Sequence, residues 1–272
     1  MRFPTTYGKS CRPGYWDRVG NNTNTNTYQE QIALHKKRVN LDLVSAWAPV
    51  KNCCSILKTD LFEEAFGEDF LLDELSSPHT ATVGMDVSKA IVSKAKKRFP
   101  KNPLLAADVS RLPFADERFE LIVSNSTLDH LPFPSFPHAL NELRRVLKPG
   151  GFLILTLDSR HNPVHVISNF IRKKIGMIHA ERCYSIQETV RLLKGCGFHA
   201  THSKTIYHIP PGLNPLAKLL DKALGSRTNS LIKHMLHIFK RFDRLPTRLL
   251  TGRYIAVRAI KSDGSGIKKA QE

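Results

Sequence analysis

Between residues 53 and 158 the chain alternates short apolar runs with stretches in which apolar residues recur every three or four positions. The first kind suits a strand buried on both faces, the second an amphipathic helix. CSILKT reads as the first strand and LFEEAFGEDFLLDEL as its helix; ATVGMD is the second strand, followed by a helix over SKAIVSKAKKRF. PLLAAD and FELIVSN are the third and fourth strands, joined by a loop carrying LPFADER. The helix FPHALNELRRVL is expected to stop at KPGG, where Pro149 cannot continue it and a glycine can take a left-handed cap. FLILTLD is the fifth strand and SIQETVRLLKGCGF a helix ended by Gly195 or Gly197; THSKTIYHI and YIAVRAIK are the last strands. Strands and helices alternating in this way predict an α/β fold with a mostly parallel sheet and helices on both faces.

The flanks read differently. Residues 1–27 end in the polar run NNTNTNT, which offers nothing to pack and predicts a flexible arm. Helical apolar spacing begins after Tyr28, at Ile32, Leu34, Val39, Leu41 and Val44, and breaks at Pro49. Residues 28–262 are therefore read as one domain with a helical insertion at about 211–250, and 263–272 as a disordered tail. With 272 residues and 41% hydrophobic content the chain can bury one substantial core. No apolar run follows the first residues as in a signal peptide, and no run spans about eighteen apolar residues, so the expectation is a cytoplasmic protein.

Five cysteines, at 11, 53, 54, 183 and 196, are odd in number and lack paired zinc spacing, which predicts reduced thiols used for packing. The formal net charge of +17 favours an anionic partner. Residues 200–272 carry much of it, with 14 Lys/Arg against 4 Asp/Glu.

Three stretches carry candidate chemistry. In VGMDVSKAIVSKA, Asp86 sits where a parallel strand gives way to a helix, and a carboxylate there can accept hydrogen bonds from both hydroxyls of a ribose. A helix cap at Asp86 or Ser88 explains the same pattern equally well. In AADVSRLPFADERFELIVSNSTLDHL, Asp108 ends the next strand and can accept from an exocyclic amine, while the Val109 backbone can read a ring nitrogen. The third stretch, ALNELRRVLKPGGFLILT, is architectural: a helix, a tight turn and a buried strand.

In this order and spacing the stretches resemble the class I methyltransferases that use S-adenosyl-L-methionine, in particular the methyltransferase type 11 group, over roughly residues 54–200. The resemblance implies a Rossmann-like sheet of seven strands. It places Asp86 on the cofactor ribose, Asp108 and Val109 at the adenine, and Asn125 and Ser126 near the transferred methyl, with Val87 also among the cofactor-binding residues.

The first strand departs from that family. Its turn is normally glycine-rich because only glycine lets backbone approach the ligand closely; here Lys58, Thr59 and Asp60 occupy it, and the first glycine is Gly67. One reading has Asp60 capping the next helix, with Lys58 and Thr59 contacting the methionine end of the cofactor. The other has the pocket closed and the chain a non-catalytic binding protein on the same fold. Retention of Asp86 and Asp108 favours the first. Glu63 and Glu64 suit the dipole of a first helical turn.

Asp129 and His130, just after the fourth strand, are the candidates for a catalytic base, with His161 and His165 beyond the fifth strand. The last two stand four apart, a metal-binding spacing on a helix, but no third ligand is evident and no metal is expected. In the insertion, Leu231, Ile232, Met235, Leu236, Ile238, Phe239 and Phe242 define an apolar band opposite Lys233, His234, His237, Lys240 and Arg241. That pattern fits a lid, or a contact of the 230–242 helix with anionic membrane; RNA ranks lower for want of stacking aromatics. The reading is a methyltransferase acting on a small-molecule or lipid-like acceptor.

Overall fold

Strands that are apolar along their whole length need cover on both faces, and helices laid over both faces of a parallel sheet provide it. A computed structural model describes residues 13–23, 28–50, 53–174, 182–210, 212–225 and 227–262. The N-terminal helices are α1 (Pro13–Asn22) and α2 (Glu30–Trp47). The first half of the sheet comprises β1 (Ser55–Thr59), β2 (Ala81–Asp86), β3 (Leu104–Ala106) and β4 (Phe119–Asn125), with helices α3 (Phe62–Phe66), α4 (Leu72–Leu75) and α5 (Lys89–Arg98) between them. After β4 come α6 (Ser135–Val146), β5 (Leu147–Asp158), α7 (Pro163–Lys174), α8 (Ile186–Gly195) and β6 (Phe198–Ile206). Helices α9 (Leu213–Leu224), α10 (Arg227–Lys240) and α11 (Arg248–Thr251) precede β7 (Tyr254–Lys261).

The seven strands lie in the order β3-β2-β1-β4-β5-β7-β6. β7 runs antiparallel to both β5 and β6, and every other neighbouring pair is parallel. The order reverses between β1 and β4, and the crevice beyond the C-terminal ends of such strands is where open α/β sheets bind ligands. On one face, Phe136, Ala139, Leu140, Leu143 and Val146 of α6 pack with Leu193 of α8 against β4 and β5. On the other, Leu43 and Val44 of α2 cover Ile56, Leu121, Val123 and Ile154.

Three expectations change in detail. The polar arm contains a helix: α1 packs on α5, because the Asp17 carboxylate accepts from Ser88 Oγ at 2.7 Å and from the Ala90 amide at 3.1 Å, satisfying the start of α5. Gly20 makes the close approach possible, since a Cβ there would lie 3.0 Å from Ile91. The long helix expected after β1 is two short ones, broken at Gly67–Leu71. Finally, α6 ends at Val146 without a left-handed glycine; Gly150 (φ 69°) lies instead inside β5, beside the register shift against β4. The tail expected at 263–272 lies outside the described residues.

The insertion is also rearranged. The apolar band expected on the 230–242 helix is split: Ile232 and Leu236 are buried with Ile32 of α2 and Leu213 and Ala217 of α9, whereas Leu231 and Ile238 face outward. Lys240 reaches Asp42 of α2 at 3.3 Å. Part of the band expected to touch a membrane, Ile232 and Leu236, is the row that holds α10 to the domain.

The break after β1 has an electrostatic cause. Lys58 and Glu64 are both buried, with Nζ 2.8 Å from Oε2, and Lys58 also donates to the Asp60 carbonyl. The other Glu64 oxygen accepts from the amides of Leu71 at 3.0 Å and Leu72 at 3.2 Å, so one carboxylate ties β1 and α3 to the first turn of α4. Removing one member of a buried ion pair costs about 3–5 kcal/mol because the other is left uncompensated. Lys58→Met is therefore expected to lower the unfolding free energy in urea by about that amount, and Glu64→Gln added to it to recover a large part of the loss. Simple additivity of the two changes would show that the pair is not coupled.

Candidate functional site

A cavity of about 450 Å³ opens over the C-terminal ends of the central strands, within the range of small-molecule and cofactor sites. Its floor is built from strand ends: Thr59 and Asp60 after β1, Met85, Asp86 and Val87 at β2, Asp108 and Val109 after β3, Ser126 and Thr127 after β4, and Asp158 at the end of β5. Tyr15, Trp16 and Val19 of α1 form one wall. They lie in the segment expected to be an arm; the readable signal was their own spacing, two aromatics and a valine on one helical face just before the polar run.

Asp86 is buried, and both its oxygens are engaged: Oδ2 accepts from the Leu61 amide at 3.0 Å and Oδ1 from the Ser88 amide at 2.8 Å. Each carboxylate oxygen has a second acceptor site left for a ligand. Burial pushes the Asp86 carboxyl up to about 6 against these hydrogen bonds. Ser88, not Asp86, is the side-chain cap of α5, accepting from Ile91 at 3.2 Å. Asp108 is exposed, with Oδ1 accepting from the Ser110 amide at 2.7 Å, and the neighbouring Val109 is buried.

At the atypical turn, Asp60 takes φ 79°, the left-handed conformation that a glycine would supply, and aspartate is among the residues that tolerate it. Its Oδ1 accepts from the Phe62 amide at 2.7 Å, and its own amide donates to Met85 O at 2.7 Å. Burial, then the charges of Glu63 and Asp86, hold its carboxyl well above the usual range. Thr59 Oγ1 lies 3.0 Å from both Ser124 Oγ and Thr127 Oγ1. Lys58, expected at the methionine end of a cofactor, is turned away: its ammonium is held by Glu64, and the residue borders a separate small cavity of about 20 Å³. Asn125, expected near a transferred methyl, likewise borders the small cavity and not the large one, because the alternation along β4 sends it to the α2 side. Ser126 borders both.

Glu63 does more than suit a helix dipole. Burial works against its ionisation, but Lys36 at 2.7 Å, helped by Lys58, holds its carboxyl down at about 2. Lys36 also lies 2.8 Å from Asp69, so the cation that α2 brings to the cavity is already matched.

At the other end, Asp129 and His130 line the cavity together with Asp158 and Arg253. Asp129 is buried; its Oδ2 accepts from the Asp158 amide at 3.2 Å, and Oδ1 has no hydrogen-bond partner among the described residues. Burial and the Asp158 charge hold its carboxyl well above the usual range, whereas burial pushes the His130 imidazole down. His130 meets Trp16 edge to face at 5.0 Å. His161 and His165 do not share a helix, since α7 starts at Pro163; His165 is buried with Nε2 3.1 Å from Asp158 Oδ2. The third donor missing from the sequence comes from elsewhere, Cys183 lying with its sulfur within 4.8 Å of the His165 and Asp158 donor atoms.

Residues 62–155 match the family described as a methyltransferase domain, the match starting just after the atypical turn. A probable S-adenosylmethionine-dependent methyltransferase of Mycolicibacterium smegmatis is 24% identical over 149 residues, 55% of this chain and 55% of that protein. The demethylmenaquinone methyltransferase of Chlamydia caviae is 33% identical over 111 residues, 39% of this chain and 47% of that protein. The chain spans about half the length of the curated relatives it matches. Among solved structures, a methyltransferase from Thermotoga maritima described as a possible histamine N-methyltransferase superposes with TM-score 0.56 at 17% identity, covering 85% of this chain and 91% of that one. A putative sarcosine dimethylglycine methyltransferase from Galdieria sulphuraria gives TM-score 0.59 at 14% identity, covering 92% and 98%. These two likenesses establish the fold.

The left-handed Asp60 makes an unusual ordering of variants. The N-cap of α3 is Leu61 and not the expected Asp60, whose side chain bonds the Phe62 amide two residues on; Asp60→Ala loses that bond and keeps the Cβ strain, while Asp60→Gly loses it and relieves the strain. The glycine variant is expected to be the more stable by about 1 kcal/mol in urea denaturation. The reverse order would mean the turn does not hold φ near 79°.

Proposed function

We propose that this chain, which belongs to the class I S-adenosylmethionine-dependent methyltransferase family, binds S-adenosylmethionine in the large cavity and transfers its methyl group to a small-molecule or lipid-like acceptor. The observation that carries this reading is Asp86, a buried carboxylate at the end of β2 with acceptor capacity left toward the cavity, next to Asp108 and Val109 at the end of β3. A ribose has two adjacent hydroxyls for the first, and an adenine has an amine and a ring nitrogen for the others. The glycine-poor turn does not close the cavity, because Asp60 adopts the glycine-like backbone and Lys58 is withdrawn into the core.

When bound, the cofactor supplies an electrophilic methyl on a positively charged sulfur. The chain's own part is to hold an acceptor in line and to take up a proton where the acceptor must lose one. The neighbouring Asp129 and His130 are divided by their surroundings. Burial and the Asp158 charge bias Asp129 toward the protonated form, which can donate a hydrogen bond, while burial biases His130 toward the neutral form, which can accept a proton. Arg253, whose Nε has no hydrogen-bond partner among the described residues, offers a donor to a polar group of the acceptor. The aromatic and apolar wall of Trp16, Val19, Leu131 and Pro132 suits an acceptor with an apolar body. The relatives named as demethylmenaquinone and malonyl-[acyl-carrier protein] methyltransferases point the same way.

Calorimetry with S-adenosylhomocysteine tests the binding step. Asp86→Asn is expected to weaken the affinity at least about tenfold, as loss of charge-assisted hydrogen bonds worth roughly 1.5–3 kcal/mol each requires. No heat at millimolar ligand with the unaltered chain would leave a non-catalytic protein on this fold. Transfer of labelled methyl to lipid and polar metabolite extracts then identifies the acceptor class, and His130→Gln is expected to slow that transfer about a hundredfold or more with cofactor affinity unchanged.

Acid should move binding and stability in opposite directions. The ribose hydroxyls need the ionised carboxylate, so affinity is expected to fall as pH drops below about 6, approaching tenfold per unit, and to stay flat in Asp86→Asn. The folded-state pKa of this acid is raised, so its stabilising contribution to the free protein is fully present below its unfolded value near 4 and is lost as pH rises through about 6. Affinity that is level between pH 7 and pH 5 would remove Asp86 from the ribose.

A further inference from the structure

Apart from Leu34 and Phe133, every large hydrophobic side chain that the described residues leave exposed lies in two stretches, 164–171 and 216–250. Helix α7 shows the effect most strongly. Val164, Ile167, Phe170 and Ile171 are 52%, 59%, 57% and 53% exposed, and His165 is the residue that faces inward, onto Asp158. A surface helix normally turns such residues to the core and leaves polar ones outside; here the order is inverted. The other stretch is sharpest at residues 241–250, RFDRLPTRLL, where Leu245, Leu249 and Leu250 are exposed among Arg241, Arg244 and Arg248, themselves exposed.

The two stretches are tied together at one end. Asn162, immediately before α7, donates its side-chain amide to Thr251 O at 3.1 Å, so α7 begins where α11 ends. Both stretches carry positive charge. Lys174 closes α7, whose sequence has no acid, and in 241–250 the lone acid, Asp243, lies 2.9 Å from His208. No helix among the described residues is long and apolar enough to cross a membrane. Exposed leucine, isoleucine and phenylalanine interleaved with arginine suit a helix lying in a bilayer interface, apolar side chains among the acyl chains and guanidinium groups at anionic headgroups.

We propose that α7 and residues 241–250 form a docking surface for an anionic lipid bilayer. Because His165 fixes the first turn of α7 to Asp158, which lines the large cavity, docking sets the cavity next to the lipid phase. The surface shares only Arg241 and Phe242 with the 230–242 segment, whose Ile232 and Leu236 are spent on the core. The docking is independent of the methyltransferase reading: it needs neither cofactor nor acceptor and is measured without them.

The test is co-sedimentation of the full chain with sucrose-loaded vesicles of phosphatidylcholine alone or with 30% phosphatidylglycerol (an on the order of one-third anionic surface). Binding is expected to the anionic vesicles only and to weaken severalfold between about 0.1 and 0.5 M salt, as the Debye length shrinks. Each arginine near such a surface strengthens partitioning about fivefold, so reversing Arg241, Arg244 and Arg248 to Glu should weaken it more than about a hundredfold. Phe170→Asp with Ile167→Asp should abolish it; both sites are exposed, and unchanged circular dichroism and melting verify the fold. Equal binding to neutral and anionic vesicles overturns the proposal, as does no binding to either. So does a concentration-dependent dimer in sedimentation velocity that Phe170→Asp dissolves, because the face would then belong to a second copy of the chain.

Discussion

The buried pair Lys58–Glu64 is the constraint on which the site's geometry depends. A charged side chain inside the first strand of a parallel sheet is tolerated only if its charge and its donors are met locally. Here one carboxylate and the Asp60 carbonyl meet them, and meeting them forces the chain to turn sharply after Thr59. The same carboxylate holds the amides that open α4, so the expected long helix is broken in two. Glycines would have let the backbone approach a ligand by being small. This chain reaches an open cavity by another route: it anchors the turn from behind and places an aspartate in the left-handed conformation.

From that anchor, contacts run in sequence toward the rest of the cavity. The Asp60 amide bonds Met85 O, the Leu61 amide bonds Asp86, and Asp86 bonds the Ser88 amide, so the turns after β1 and β2 are tied together. Ser88 in turn donates to Asp17, which brings α1 and its Trp16 over the opening. A wall of the cavity that sits far away in sequence is thus fixed by a short chain of hydrogen bonds from the sheet.

The acids of the cavity are held at different potentials by burial and neighbours. Lys36 keeps Glu63 ionised, while Asp60 and Asp129, each near another acid, are pushed toward the neutral form. A cavity built this way presents donors and acceptors in defined places. The basic charge of the chain collects elsewhere, on α7 and the insertion.

The sequence by itself determined the α/β class and the alternation of strands and helices, because a parallel strand covered on both faces must be apolar throughout and an amphipathic helix must repeat every three to four residues. It also determined that Asp86, Asp108 and Val109 stand at strand ends, since the end of a strand is read from where its apolar run stops. It left open where side chains within a strand or turn point. Lys58 and Asn125 looked like site residues and proved to face the α2 side, which register and neighbouring charge decide. Only the tertiary structure revealed α1 as a wall, through Asp17 meeting the start of α5 71 residues away, and Cys183 beside His165 and Asp158. It likewise split the band on α10 between core and solvent. Contacts between distant segments leave no local period, so no pattern along the chain can encode them.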